Sequence, residues 1–427
     1  MRTKEIKAIA LMLMLPLLVL TACSSSSDSS DVVVPQHAIG FSGIFADNEG
    51  GTTSAPATRG VGDGEFTNTE LQASGFGVYC WYTGSDDFVS PLTEGTTILM
   101  MNQHVTYNNT DLWHYTPSKY WPLNNQEKLT FRAYAPYVSY QLQTDANGMP
   151  LLPVVVKATD YHDGTQHDPL WGTGKLLQGN SDPVPGEYAA GTTYGLLYDN
   201  IKYEMSGDYR LANASETKNG TINWYFHHGM ARLIFKCSVI QNPGCDKVTI
   251  RSIKIENLNT QGLLSLSSPT ASSSVTEKPI WTNTSGNMTV TLSEATQDNT
   301  VAGDLAPIPT PEEPVPAGFN PYPFVITTST TQATTPIDLL EHGLLIIPRN
   351  FSSPNLPLKV TISYTVDTDT NPLEAEGTIT QEIYGNTSYT LKLSLTPSTK
   401  GLEITLVQSA FTPWNPAGSG EREVYNW

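Results

Sequence analysis

The sequence predicts an all-β protein, and three observations carry that expectation. Many segments alternate apolar and polar residues with period two, the signature of strands with one buried face. Sustained 3.6-residue periodicity is almost absent from Val32 onward. Charged residues are only 15% of the chain against 39% apolar, with 33 Gly and 30 Pro, a composition that disfavours long solvated helices yet supplies a core.

Taken one by one, the clearest strand is Leu358 to Val366, where Leu358, Val360, Ile362, Tyr364 and Val366 alternate with polar residues. Tyr389 to Leu395 repeats the pattern, Leu402, Ile404 and Leu406 mark another strand, and Leu129, Phe131, Ala133 and Ala135 an earlier one. From Val248 to Ile255 the apolar phase slips by one residue between Ile250 and Ile253, so a β-bulge is expected near Arg251 and Ser252. The only stretch that suits a short helix is Pro336 to His342. Two segments read as linkers: Gly172 to Tyr198, rich in Gly, Pro, Asp and Thr, and the Pro-rich run from Gln297 to Pro323. A chain of 427 residues suits more than one domain. A boundary near residue 220, where a polar stretch gives way to the alternating run from Trp224, divides it into 37–220 and 221–427, each long enough for a β-sandwich.

The chain carries 41 acidic against 23 basic residues, a formal net charge of −18. Phosphate-backbone binding depends on basic surface, so nucleic acid is excluded as a partner. The N-terminus has a basic start (Arg2, Lys4, Lys7) and an apolar run from Ala8 to Leu20, too short for the ~20 residues that span a bilayer. It reads as a signal peptide over 1–22. Its end, Leu20-Thr21-Ala22-Cys23, resembles a bacterial lipobox, which makes Cys23 the expected lipidated first residue of the mature chain. The Ser/Asp-rich residues 23–36 then form a tether with too little apolar surface to fold. A run of this kind resembles the export signal of surface lipoproteins in Bacteroidetes-type bacteria.

Further patterns follow in series. They are Ala38-Ile39-Gly40-Phe41-Ser42, Ala57-Thr58-Arg59-Gly60, Phe76-Gly77-Val78-Tyr79, Tyr120-Trp121-Pro122 with Leu129 to Tyr137, Phe226 to Leu233, Leu345-Ile346-Ile347-Pro348 and a closing Trp414. With the lipobox in front, this order resembles the Bacteroidales-type fimbrillins, the subunits of type V pili. The resemblance implies two transthyretin-like β-sandwich domains in tandem, in a lipoprotein exported to the cell outer membrane and surface. It implies an Arg-specific protease cutting at Arg59-Gly60, which releases a strand between about Val32 and Ala46. A strand from a neighbouring fimbrillin subunit then fills the opened groove, and a fimbrium grows.

Physical chemistry points the same way. Gly50 to Gly64 is small, polar and Gly-rich, the composition of exposed loops that are nicked, and Arg59 is the first basic residue after the signal peptide. A cut there would leave an unpaired sheet edge that a donated strand can satisfy through backbone hydrogen bonds. Otherwise Arg59 is an ordinary loop residue. At the other end, Val424, Tyr425 and Trp427 are either a short donor strand or a tail folded on its own domain.

Other chemistry finds little support. His227 and His228 are adjacent on an expected strand, so their rings diverge and cannot share a metal. His162 to Asp168 holds two His and two Asp, either a cation loop or a solvated one. Asp367 to Asn371 begins like a calcium loop, but Pro372 stands where Gly is needed and Thr378 where the bidentate Glu belongs, so a turn is expected. Cys237 and Cys245 flank the turn signal Gln241-Asn242-Pro243-Gly244 and are either a disulfide pair across a hairpin or free thiols. Cys80 reads as a small buried side chain. Trp113, Tyr115, Tyr120, Trp121, Tyr134 and Tyr137 serve either core packing or a sugar-stacking platform. No catalytic motif, metal site or cofactor signature stands out, so an enzyme is not expected. The rival to a pilus subunit is a lipid-anchored surface protein that binds glycans or host ligands and never polymerises.

Overall fold

Alternating segments become sheet wherever two of them meet, and here they meet in two halves joined by a shared sheet. The computed structural model describes residues 37–45, 68–88, 96–124, 126–161, 168–173, 198–201, 208–211, 214–218, 221–240, 245–267, 279–293, 323–328, 333–339, 343–353, 355–397 and 399–410. All of them fall within one compact unit, Gln36–Trp427.

The first half contains β1 (Gly40–Phe45), the helix α1 (Asn68–Ser74), β2 (Phe76–Gly84), β3 (Thr97–Asn108), β4 (Leu112–His114) and β5 (Lys128–Ala135). There follow β6 (Gln143–Thr144), β7 (Pro150–Val155), β8 (Leu170–Thr173), β9 (Tyr198–Ile201), β10 (Asp208–Leu211), β11 (Ala214–Lys218) and β12 (Thr221–His228). The main sheet has the order β1-β12-β8-β5-β2-β3-β4, with β9 beside β5, while β10 and β11 form a pair of their own. Its strands run antiparallel except β1 and β12, which run parallel. Both faces of this sheet are covered, so β5 is buried at nearly every position and β2 from Phe76 to Trp81. One face sends Phe76, Val78, Phe131 and Phe226 into a first core. The opposite face packs Tyr79, Trp81, Tyr134 and Trp171 against Leu152, Leu264 and Leu266.

The second half contains β13 (Ala231–Val239), β14 (Lys247–Leu258), β15 (Gln261–Ser265), β16 (Ile280–Ser285), β17 (Met288–Ser293), β18 (Phe324–Thr327) and β19 (Ile337–Asp338). It continues with β20 (Leu344–Ile346), β21 (Arg349–Asn350), β22 (Leu358–Val366), β23 (Leu373–Ile379), β24 (Glu382–Ile383), β25 (Thr387–Thr396) and β26 (Gly401–Ala410). One layer is β17-β14-β22-β23 and the other β26-β25-β13, carrying β19 and β20 on β13. A single ladder pair, Glu376 with Gly401, links β23 to β26. Between the layers lies the largest core, fed by Leu233 and Phe235 from β13, Leu391 and Leu393 from β25, Ile250 and Ile253 from β14, and Val360 and Ile362 from β22. A smaller sheet, β16-β15-β7-β6, stitches the halves together because β7 of the first pairs with β15 of the second. The chain changes sheet between His228 and Ala231.

The all-β expectation holds. β22 spans the expected Leu358–Val366, and β5, β25 and β26 contain the other predicted segments. The bulge is present, since the register of β14 on β22 shifts between Ile250 and Ser252. The helix does not form as predicted: Ile337 and Asp338 are a strand paired with Cys237 and Lys236, because β13 has an edge that draws them into the ladder. Residues 340–342 lie outside the described ones. The helix α1 was not predicted. It buries Leu71 fully and ends at Gly75, whose φ of +66° and backbone bond to the Leu71 carbonyl (2.8 Å) make a left-handed cap. A Cβ there would stand 2.3 Å from the Val105 carbonyl oxygen.

The disulfide reading is corrected as well, for Cys237 and Cys245 are not joined. β13 and β14 are not hairpin partners. Four strands, β22, β23, β26 and β25, stand between them in the strand order, so the two cysteines do not face each other across a hairpin. Asp367 sits in a turn, where its carboxylate accepts the N–H groups of Asp246 (2.7 Å) and Lys247 (3.0 Å).

Candidate functional site

The feature that stands apart is β1. It lies at one end of the first sheet and pairs along Gly40–Phe45 with Thr221–Phe226 of β12. Its other flank is also held. Ala38 bridges Tyr120, the Ile39 N–H donates to the Lys119 carbonyl (2.8 Å), and the Trp121 N–H donates to the His37 carbonyl (2.9 Å). The Tyr115 hydroxyl donates to the Ile39 carbonyl at 2.8 Å. Burial pushes the Tyr115 phenol up to about 12, so this donor keeps its proton through the physiological range. β1 thus bridges the two ends of a curled sheet, with β12 on one side and the segment after β4 on the other.

Its side chains follow from period two. Ile39 and Phe41 point inward and are 2% and 5% exposed, while Ser42 faces away and hydrogen-bonds Asn223. Phe41 packs on Tyr115 (5.2 Å between centroids) and on Phe131 (6.1 Å). The third inward position is Gly43, over the rings of Phe76 and Phe226. Without β1 the sheet would expose the edge of β12 and an apolar groove lined by Tyr115, Phe131, Phe76 and Phe226. Chemically the site can hold an extended strand through main-chain hydrogen bonds and two apolar side chains.

The segment that carries Arg59 and Gly60, residues 46–67, connects β1 to α1 and lies outside the described residues. So do Cys23, His162 to His167, and Val424, Tyr425 and Trp427. Of the six aromatics, Trp121 and Tyr134 are buried, Trp113 and Tyr115 pack against the first core, Tyr137 stacks on His104 at 3.8 Å, and Tyr120 is exposed. His227 and His228 do point apart. His227 leans on Trp171, whereas buried His228 engages the buried Asp168 carboxylate, whose other oxygen accepts the Met230 N–H at 3.0 Å. This pair lies where the chain passes from β12 to β13. A cavity of about 190 Å³ adjoins it, mostly apolar, and both acids on its wall are engaged, Asp160 by the Lys157 N–H and Asp168 by His228. Among the described residues no group of three or more His, Cys, Asp or Glu is placed to hold a metal ion, and no helix is long and apolar enough to cross a membrane.

The sequence offered Ala38 to Ser42 as one part of the fimbrillin-like pattern, without Gly43, Tyr115 and Asn223 as partners in the closure. The signal for Gly43 was available: a glycine at an inward position of an alternating strand marks a close approach.

The chain matches no family model. Over 114 residues it is 35% identical to the fimbrium subunit Fim1C of Phocaeicola vulgatus, an alignment covering 24% of this chain and 29% of that protein. The resemblance is to Bacteroidales fimbrial subunits. The matched region spans less than a third of the length of Fim1C. Among solved structures, a fimbrial protein from Bacteroides vulgatus aligns with 88% of this chain and all of its own, at 18% identity and a TM-score of 0.44. The tip fimbrial protein Mfa3 of Porphyromonas gingivalis aligns over 82% of this chain and 97% of its own, at 10% identity and a TM-score of 0.32.

Proposed function

We propose that this chain is a structural or adhesive subunit of a cell-surface fimbrium, exported as a lipoprotein through Cys23 and assembled by strand exchange with other fimbrial subunits. In this reading an Arg-specific protease cuts at Arg59-Gly60. β1 leaves, the groove along β12 opens, and a strand from another subunit takes its place. The two domains are a first sandwich through β12 and a second from β13, which moves the boundary expected near residue 220 to between His228 and Ala231. Val424, Tyr425 and Trp427 are a candidate donor strand for the next subunit.

The observation that supports this reading most is the position of β1. It closes the first sheet beside β12, it fills the core with Phe41 and with Ile39 just before it, and it precedes the Arg59-Gly60 segment in the chain. A cut after it would sever its covalent link to the body while leaving a templated vacancy. The partial match to Fim1C supports the fimbrial assignment.

The test is the intact mass and size distribution of the mature protein before and after limited trypsin. A single early cut is expected to leave a body starting at Gly60 that forms oligomers alone or with sister subunits. Resistance of Arg59 to cleavage, or a cut body that stays monomeric in both settings, would sink the polymer reading in favour of a lipid-anchored binding protein.

A further inference from the structure

If the groove along β12 accepts a donated strand, as proposed above, its walls decide which strand fits. The groove has three inward stations along β1. The first two, under Ile39 and Phe41, are deep and apolar. The third, under Gly43, has no depth. A Cβ built on Gly43 would stand 2.9 Å from Cε1 of Phe76 and 3.2 Å from Cε2 of Phe226. Both rings are fully buried, and they pack on each other at 5.2 Å between centroids. Phe76 is further held by Trp113 at 4.9 Å. Neither ring has room to retreat, because interiors are close-packed and a shift of one ring is passed to its neighbours.

Gly40 differs. A Cβ there would meet the Thr221 hydroxyl at 2.6 Å, but that group is the rotatable tip of a half-buried side chain on the outer face. It can turn away. Selection by volume therefore falls mainly on the third inward station.

We infer that the groove is specific for strands of the form apolar-x-apolar-x-Gly, with the glycine seated on the Phe76 and Phe226 rings, and that Phe76 and Phe226 are the specificity-determining residues. The partner is a strand from a subunit that carries this pattern. Residues 411–427 of this chain, Phe-Thr-Pro-Trp-Asn-Pro-Ala-Gly-Ser-Gly-Glu-Arg-Glu-Val-Tyr-Asn-Trp, do not carry it without proline at the second apolar station, in either chain direction. A proline there lacks the N–H that a ladder position uses. The groove thus favours a donor other than the C-terminal segment of a second copy.

The test uses the full mature chain with a site-specific protease sequence placed between Gly50 and Gly51. Nicking it leaves β1 held only by non-covalent contacts, whether or not Arg59 is a natural cut site. Fluorescent peptides with the sequence Gln36–Ala46 are then added, and exchange is read by anisotropy. The native peptide is expected to enter. Gly43→Val is expected to bind about 10- to 100-fold more weakly, as overpacking of a closed core does. Ser42→Ala, on the outer face, should stay within about tenfold, the loss of one partly exposed hydrogen bond. A peptide of residues 414–427 should fail to compete. Entry of the Gly43→Val peptide as readily as the native one would overturn the specificity while leaving strand exchange intact. If not even the native peptide enters the nicked chain, strand exchange itself fails and the specificity fails with it.

Discussion

Replacing Phe41 by alanine is the most direct probe of whether β1 is a plug or a loosely attached edge. Phe41 is 5% exposed and packs on Tyr115 and Phe131. Truncating a buried Phe to Ala costs about 3–5 kcal/mol, the sum of lost transfer free energy and the cavity left behind. Two ring pairs of roughly 0.5–1.5 kcal/mol each beyond their burial place this site toward the upper end. Against a total stability of about 5–15 kcal/mol the Phe41→Ala chain should still fold, because Ile39 and the ladder to β12 remain. Urea unfolding of the full chain measures the loss, read as a lower midpoint at unchanged slope. In the nicked chain the same free energy weakens retention of β1 by roughly two to three and a half orders of magnitude. A loss below about 1 kcal/mol would refute the reasoning: Phe41 would then not fill the core, and removal of β1 would open no groove worth refilling.

The other predictions concern the seam and the thiols. Asp168→Ala leaves buried His228 without its carboxylate and the Met230 N–H without its acceptor, and should destabilise the chain by about 3–5 kcal/mol in the same unfolding assay. A loss under about 1 kcal/mol would show that the pair does not pin the passage from β12 to β13. Burial raises the Cys80 thiol well above its ordinary value and pushes Cys237 up to about 12, so neither should react with a thiol reagent in the native protein at pH 8. The sign of the linkage follows. The Cys237 contribution is constant below pH 9 and is lost as pH rises from about 9 to about 12, where the unfolded thiol ionises first. Unfolded but unreduced protein should alkylate at both Cys237 and Cys245, and failure at both would reinstate the disulfide.

Local pattern and distant partner divide what was legible. Alternation at period two is a property of neighbouring residues, and it located Leu358–Val366 to the residue and the bulge at Arg251. Composition, charge and the Leu-Thr-Ala-Cys end set the fold class and the expected route of export without any contact map. Which strands become neighbours is another matter, because that depends on how loops return the chain through space.

Only the tertiary structure decided that β1 pairs in parallel with a strand some 180 residues later, as the separation between Ser42 and Asn223 shows. The same holds for β13 beside β25, for β7 beside β15, and for the four strands between β13 and β14. The helix α1 escaped the periodicity because seven residues are too few to display it, and the Val105 carbonyl that leaves room only for glycine at its cap comes from β3. Gly43 illustrates the division best. The sequence by itself determines that the residue has no side chain, whereas the two buried rings beneath it, brought from β2 and β12 by the fold, decide that an added Cβ would stand 2.9 Å from Phe76.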